Sequence, residues 1–518
     1  MSYIVEQKIK GNIYLYQVES YWDKDKKQAR QRRVYLGPKE KKTKVPIRKN
    51  KDIKIVSKCF GNVFFLEYLS RKLGLMQVLK SYFPEHYNQI LALIFYELSE
   101  ASPLYLFEYW QQEMHLPNIK TLDSEDCSLL CESIGKNEID RLNFIKQWIA
   151  NNKNINAVYY DITSISSYST NIEYIEWGYN RDKENLPQLN MGVLCNQKDG
   201  IPLYYNVFPG SIVDVSTLQN NIHFLHAVGL SNILLIMDRG FFSTANVLKM
   251  NKIDEKIQFI QPLPLSLKKV KELIQKNKKT VGSAQYAFMY ESEILYSMPF
   301  EIELGNQLFK GHLFYNEKAE LDQKQHFLSV LLQLHNQIEN KTFNSEQDAE
   351  RYIQTTIPAK YQTYFHYDST SEKIQRNTET INQYFANLGC YLMISNSEQQ
   401  IDNVQMLTYY RNKDRVEKIF NLSKNETDGN RLRAHNKYTN DGRIFIRFLT
   451  LILMSHINQV MREKDLFKSF SMKELLADLR KIKYIKLYDS TPMISEVSKK
   501  HKKIFEAFGI PLEDLHSY

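Results

Sequence analysis

A mixed α/β fold interrupted by a large insertion is what the sequence predicts. Three observations predict it. Short apolar runs of buried-strand length alternate with amphipathic helical runs over residues 156–263. Two of those strand runs carry an aspartate, Asp161 inside one and Asp238 at the end of another. The strand pattern then resumes only at CYLMIS (390–395), after a long stretch of different character.

Residues 1–55 form the first segment, basic and β-rich. IYLYQVESYW (13–22) and QRRVYLG (31–37) read as strands joined by the charged connection DKDKKQAR, and 38–54 reads as a basic linker. Residues 56–152 carry apolar positions at three- and four-residue spacing and predict a helical domain, punctuated by Pro84, Pro103 and Pro117. Residues 153–263 hold the first half of the α/β layer. NAVYYDITSISSYS is extended, and LNMGVLCN (189–196) and IPLYYNVF (201–208) flank a QKDG hairpin turn. A helix follows at 215–228, then the apolar strand NILLIM (232–237), a helix at 243–251 with a serine N-cap, and the strand IQFIQPL (257–263).

Residues 264–388 read as a separate insertion, with a lysine-rich helix (266–279), aromatic strand-like segments and a long amphipathic helix (319–339). Residues 389–465 return to the α/β layer with a strand, one helix over 409–424 and a largely buried helix over 444–461. Residues 466–518 read as a helical, lysine-rich tail.

Composition bounds the function. The chain has 518 residues, 43% hydrophobic and 25% charged, which excludes a disordered, collagen-like or coiled-coil protein. The longest apolar run, Phe445 to Met454, is broken by Arg447 and is too short to span a bilayer. MSYIVEQKIK has no apolar h-region, so no signal peptide is expected. Five cysteines are too few and too scattered for a disulfide scaffold, so a reduced cytoplasmic interior is expected. The net charge is +9, yet residues 1–54 alone hold 16 Lys/Arg against 6 Asp/Glu. A basic arm on a near-neutral body points to a polyanion, nucleic acid first, or is simply a solvated extension.

The chemistry rests on three acids. A carboxylate in or at the end of an apolar strand is costly unless it is paired or holds a cation. Asp161 and Asp238 are both placed so. On one continuous helix, Tyr410, Lys413, Glu417 and Lys424 fall within about 60° of arc. That face presents a phenol, an acid and two ammonium groups; its bland alternative is a solvated face of ion pairs. Three carboxylates without a His/Cys cluster favour Mg²⁺ or Mn²⁺ over zinc. Two such ions about 4 Å apart suit phosphodiester chemistry.

The run Tyr410-x2-Lys413-x3-Glu417-x6-Lys424 resembles the Tyr-Arg-Glu-Lys signature of DDE transposases from bacterial insertion sequences, the IS-four group. YYDITS resembles that family's first-Asp strand, and LLIMDRGFFSTANV (234–247) its second-Asp block. GIPLYYNVFPGSIVDVSTL (200–218) resembles the strand and loop between them, so the order agrees over about 157–461. The basic N-terminal segment and the helical domain are similar more weakly. One departure stands out: the family's Arg is Lys413 here, which keeps the charge and loses bidentate phosphate geometry.

The resemblance implies a ribonuclease-H-like core with a mixed five-stranded sheet, interrupted by an insertion domain. It implies that Asp161, Asp238 and Glu417 hold two Mg²⁺ (or Mn²⁺) ions. Tyr410, Lys413 and Lys424 would bind DNA phosphates; Arg239 is either a further phosphate ligand or a turn residue. The partners implied are double-stranded DNA, namely element ends and target, and a second copy of the chain in a synaptic homodimer. The helical domain would bind the ends, and the setting would be the bacterial cytoplasm, at the nucleoid. In some relatives an aromatic residue of the insertion, often Trp, holds a flipped base; here Trp22, Trp110, Trp148 and Trp177 all precede Asp238, leaving that work to a Tyr or Phe.

Other residues read more plainly. Cys127 and Cys131 share a helical core face, and His223 and His226 are surface or core residues. His435 is structural or near DNA, and Lys499, Lys500, Lys502 and Lys503 touch DNA or are solvated. Two other functions compete: a catalytically silent DNA-binding descendant, and a nuclease of the same fold without strand transfer. The unbroken set of three acids speaks against the first, and the insertion with the basic arm against the second.

Overall fold

The computed structural model describes residues 2–516 apart from 11, 40–54, 101, 117–118, 153–154, 213–229, 231–232, 254–257, 344, 398–400, 427–430 and 488–489. The helix expected at 215–228, with His223 and His226, and most of the basic linker lie outside the described residues. The chain forms two compact units, Met1–Ser57 with Ile485–Pro492, and Lys58–Tyr484 with Met493–Tyr518.

The first unit carries an antiparallel sheet of β1 (Ser2–Ile9), β2 (Asn12–Asp23) and β3 (Gln28–Pro38). The two expected strands are there, joined by a hairpin in which the Asp23 carboxylate accepts the backbone N–H of Asp25 and Lys26 at 3.1 Å each. β1 was not expected, because Glu6 and Lys8 break its apolar alternation.

The second unit begins at the strand Ile55–Cys59 (β4), which straddles the boundary, and continues into six α-helices between Gly61 and Asn151. Gly74, at φ +76°, ends what reads in sequence as one continuous helical pattern and splits it into Gly61–Lys72 and Leu75–Tyr82. The helix Ser124–Lys136 packs against the 27-residue helix Lys437–Glu463 through two glycines. A Cβ on Gly135 would stand 1.8 Å from the Tyr438 carbonyl oxygen, and one on Gly442 1.9 Å from that of Cys131. Cys127 and Cys131 are fully buried at this crossing, and burial pushes both thiols up to about 12. Lys437–Glu463 is long and apolar enough to cross a membrane by composition, but 83% of its apolar window is buried inside the protein. Arg447, the charge that interrupts this run, is buried against Glu97 at 3.3 Å.

A mixed sheet forms the centre of this unit. β5 (Ala157–Ser167) pairs antiparallel with β6 (Gln188–Asn196), and β6 pairs antiparallel with β7 (Pro202–Pro209). On its other edge β5 runs parallel to β8 (Leu234–Ile236), which runs parallel to β9 (Gln258–Pro262). The β6–β7 turn is the expected one, with Gly200 at φ +74°. These five strands are half of a ten-stranded sheet rather than a sheet of five.

The stretch 264–388 supplies β10 (Ala287–Tyr290), β11 (Glu293–Leu304) and β12 (Gln307–Tyr315), which extend the same sheet. Its helices from Glu317 onward, with the hairpin β13 (Phe365–Asp368) and β14 (Lys373–Arg376), build a small second core around Phe327, Leu331, Ile353 and Ile374, while Lys268–Val281 packs into the main core. β15 (Cys390–Ser395) joins the two halves, antiparallel to both β12 and β9, and β16 (Arg431–Leu432) adds to the end of β5. The tail is not wholly helical: it includes the short strands Lys483–Leu487 and Met493–Ile494.

Candidate active site

β5 and β8 are parallel neighbours, with Ala157 opposite Leu234 and Tyr159 opposite Ile236. Two residues further along that register, Asp161 comes beside Asp238. Within β5 the Asp161 carboxylate accepts the N–H of Ile162 at 2.9 Å. Asp238 follows the last residues of its strand and caps the turn Arg239–Phe241, accepting the Arg239 N–H at 2.7 Å. The Gln261 side-chain amide donates to the Asp238 carbonyl oxygen at 2.9 Å and ties that turn to β9.

The third acid arrives on a helix that differs from the single one expected over 409–424. Two helices, Asn403–Asn412 and Asp414–Glu426, meet at Lys413. There the backbone tightens: the Lys413 N–H bonds the Tyr410 carbonyl at 3.1 Å and the Val416 N–H bonds that of Lys413 at 2.9 Å, both three-residue closures.

The side chains of Tyr410, Lys413 and Glu417 nevertheless meet around the two aspartates. The Lys413 ammonium lies 2.6 Å from a Glu417 oxygen, 3.8 Å from Asp238 and 3.9 Å from Asp161. Its side chain is 3% exposed, whereas those of Asp161, Asp238 and Glu417 are 15%, 43% and 49% exposed. The lysine is thus the floor of a carboxylate cup that opens outward. The Tyr410 hydroxyl reaches Asp238 at 3.3 Å.

Lys424 stands apart from this group. Its ammonium makes a two-oxygen contact with Asp182, at 2.6 and 2.8 Å. Arg239 is exposed and turns toward a neighbouring cavity.

Burial and charge act against each other here. Burial raises the Asp161 carboxyl to about 6, with the Lys413 ammonium pulling it back. Burial alone would make Lys413 easier to deprotonate, but Asp161, Asp238 and Glu417 outweigh it and hold the ammonium more basic than an ordinary lysine. Burial, then the neighbouring Asp238 charge, pushes the Tyr410 phenol up to about 12. Among the described residues, no group of three or more His, Cys, Asp or Glu is gathered closely enough to hold a metal ion. The donors themselves are hard carboxylate oxygens already arranged about a cation, which is the chemistry Mg²⁺ and Mn²⁺ prefer.

Beside the cup lies a cavity of about 810 Å³, bordered by Tyr410 and Arg239 on one side and by Lys271, Tyr384, Tyr391 and Arg411 on others. Sequence reasoning passed over most of these. Arg411 stacks over the Tyr290 ring at 4.8 Å, and it could have been noted as a second cation between Tyr410 and Lys413. Asp182, the partner of Lys424, and Gln261 carry no local signal, since both act across long sequence separations.

A family model described as the transposase DDE domain matches residues 154–453. No curated protein matches the sequence. Among solved structures, a cryo-EM structure of a piggyBac transposase synaptic complex with hairpin DNA is similar at 9% identity and a TM-score of 0.32, over 81% of this chain and 70% of that one. A likeness at that score carries no weight for the fold or the chemistry.

Proposed function

The chain belongs to the DDE transposases, the family model spanning more than half of its length, and from that premise we propose a specific activity for it. It binds the terminal inverted repeats of an insertion sequence of the IS-four group, cleaves the ends by metal-dependent phosphodiester hydrolysis and joins the freed 3′-OH to target DNA. The observation that carries this reading is the meeting of Asp161, Asp238 and Glu417, from two strands and a helix far apart in sequence, around one buried ammonium.

The strand order β7-β6-β5-β8-β9, two antiparallel neighbours followed by two parallel ones, supports a ribonuclease-H-like core beneath that site. Asp161, Asp238 and Glu417 would hold two Mg²⁺ or Mn²⁺ ions. When bound, such ions activate an attacking oxygen and stabilise a leaving one. The protein's own groups do the rest. The three carboxylates aim the open side of the cup at the scissile phosphate. Tyr410 fixes the Asp238 carboxylate through its hydroxyl and borders the adjoining cavity. Arg239 offers an exposed guanidinium to the DNA backbone, and Lys424 becomes available when it leaves Asp182. Water attacks the phosphodiester at the element end, and the released 3′-OH then attacks target DNA. Two copies of the chain bridge two ends.

The test uses the flanking inverted repeats as a labelled duplex with Mg²⁺ or Mn²⁺, comparing wild type with Glu417→Ala. Cleavage and joining are expected in wild type. Both should fall by about a thousandfold or more in a variant that still binds the duplex, in keeping with loss of a group stabilising transition-state charge. Cleavage without joining would move the assignment to a nuclease of this fold. Binding without chemistry in wild type, under both metals, would point to a silent DNA-binding protein.

A further inference from the structure

The acid cup contains a feature that its proposed role does not require. Among the described residues, Lys413 is the only Lys or Arg within 4.0 Å of the three carboxylates. Of the other nearby cations, Arg411 is held by the Tyr290 ring and Glu293, Lys418 by Asp414 and Lys424 by Asp182, while Arg239 turns toward the adjoining cavity. One positive charge therefore serves three negative ones. It does so from beneath, at 3% exposure, leaving the outer sides of Asp238 and Glu417 open.

The backbone fixes this placement. Lys413 sits at the tightened junction between Asn403–Asn412 and Asp414–Glu426, with both junction hydrogen bonds made. Its carbon stem is buried, and its ammonium donates to Glu417 at 2.6 Å with Asp238 and Asp161 as ion-pair neighbours at 3.8 and 3.9 Å.

We propose that Lys413 is a built-in counter-ion that competes with divalent cations for the carboxylates of Asp161, Asp238 and Glu417. This inference rests on the reading of those acids as metal ligands and concerns how their affinity is set. Before ions arrive, the ammonium holds three like charges together. It also occupies a Glu417 oxygen at hydrogen-bond distance and lowers the negative potential that would draw a divalent ion. A phosphate entering the open side adds negative charge beside the carboxylates and strengthens their pull on divalent ions. Affinity for the ions thus rises when DNA is bound.

The experiment titrates Mn²⁺ into the full chain without DNA, followed by electron paramagnetic resonance, with thermal melting in parallel. Wild type, Lys413→Met, Lys413→Gln and Lys413→Arg are compared. The two neutral variants should bind Mn²⁺ at least about tenfold more tightly than wild type, since a cation within about 4 Å of the ligands is gone. They should melt lower than wild type without Mn²⁺ and recover when it is added. Lys413→Arg, which keeps the charge, should stay near wild type. Should Lys413→Met fail to fold, Lys413→Gln, which can still donate to Glu417, carries the test. Equal or weaker Mn²⁺ binding in the neutral variant overturns the proposal. If that happens while Glu417→Ala still abolishes binding, the lysine inference falls alone. If wild type and neutral variants all fail to bind Mn²⁺, the metal-ligand reading falls with it.

Discussion

Two buried cations sit against carboxylates in this protein, and their surroundings could hardly differ more. Arg447, on the long core helix, meets one acid, Glu97, at 3.3 Å, and Thr450 donates a second bond to the same oxygen at 3.0 Å. Both side chains are nearly closed off from solvent, at 4% and 14% exposure. Lys413 meets three acids, two of them close to half exposed. The first arrangement is balanced and sealed. The second is unbalanced and open. Balance suits a position that must stay in one state, and surplus negative charge on an open face suits a position that must exchange one cation for another. The comparison separates a sealed, balanced ion pair from an open, unbalanced one without reference to sequence motifs.

The sharpest way to break this comparison is to remove the sealed cation. Arg447→Met should leave Glu97 buried without a counter-charge, at a cost of about 3–5 kcal/mol in stability. The double variant Arg447→Met/Glu97→Met should recover most of that loss, because the desolvation of both charges disappears together. Urea melts read both effects. If the single variant costs no more than a surface substitution, under about 0.5 kcal/mol, Arg447 is not the sealed structural partner described here.

These two regions were not equally legible in the sequence. The runs bearing Asp161 and Asp238 announce themselves as apolar segments broken by a carboxylate; β5 contains Asp161, and β8 ends at Ile236, two residues before Asp238. Their closeness is a matter of β5 pairing with β8 across more than seventy residues, and no local pattern carries strand pairing. The helix of 409–424 misled for a related reason. Nothing in YYRNKDRVEKIF contains the Gly or Pro that normally marks a break, so a continuous helix was the natural expectation. Lys424 is absent from the cup because it lies two turns beyond Glu417 on the same helix, about 10 Å along the axis, where Asp182 holds it. The aromatic segments of 264–388 read correctly as strands. That they extend the same sheet was invisible, because edge pairing through β15 is again nonlocal. Arg447 looked like a blemish in an apolar run; only its contact with Glu97 explains it.

The sealed region has a weakness that the open one lacks, and acid should expose it. His456 lies on the same core helix, and its Nε2 is buried with no hydrogen-bond partner among the described residues. Burial, then the Lys72 ammonium, pushes the imidazole down to about 4, with Glu463 acting in the other direction. The folded state therefore keeps His456 neutral at pH values where the unfolded chain, titrating near 6.5, already binds a proton. Its contribution is fully present above pH 6.5 and is lost as pH falls from 6.5 through 4. Melts of wild type and His456→Gln at pH 7.5 and 5.0 should show a smaller acid loss in the variant, by roughly 1 kcal/mol. An equal loss in both would place the acid sensitivity elsewhere.

The smallest effect sharpens the open side of the comparison. Lys424 resembles a phosphate ligand by position, yet its ammonium is held by both oxygens of Asp182. Asp182→Asn removes the opposing charge and leaves a side chain of the same size. If Lys424 is drawn on for DNA, the variant should bind an inverted-repeat duplex a few times more tightly at low salt. Its salt dependence should steepen by about one ion's worth in the logarithmic slope. Stability should change by less than about 1 kcal/mol, since the pair is only partly buried. A duplex affinity and slope identical to wild type would make the Lys424–Asp182 contact a structural tie between the Glu417 helix and the loop after β5. The open region would then rest on Arg239 and the cup itself for its grip on DNA.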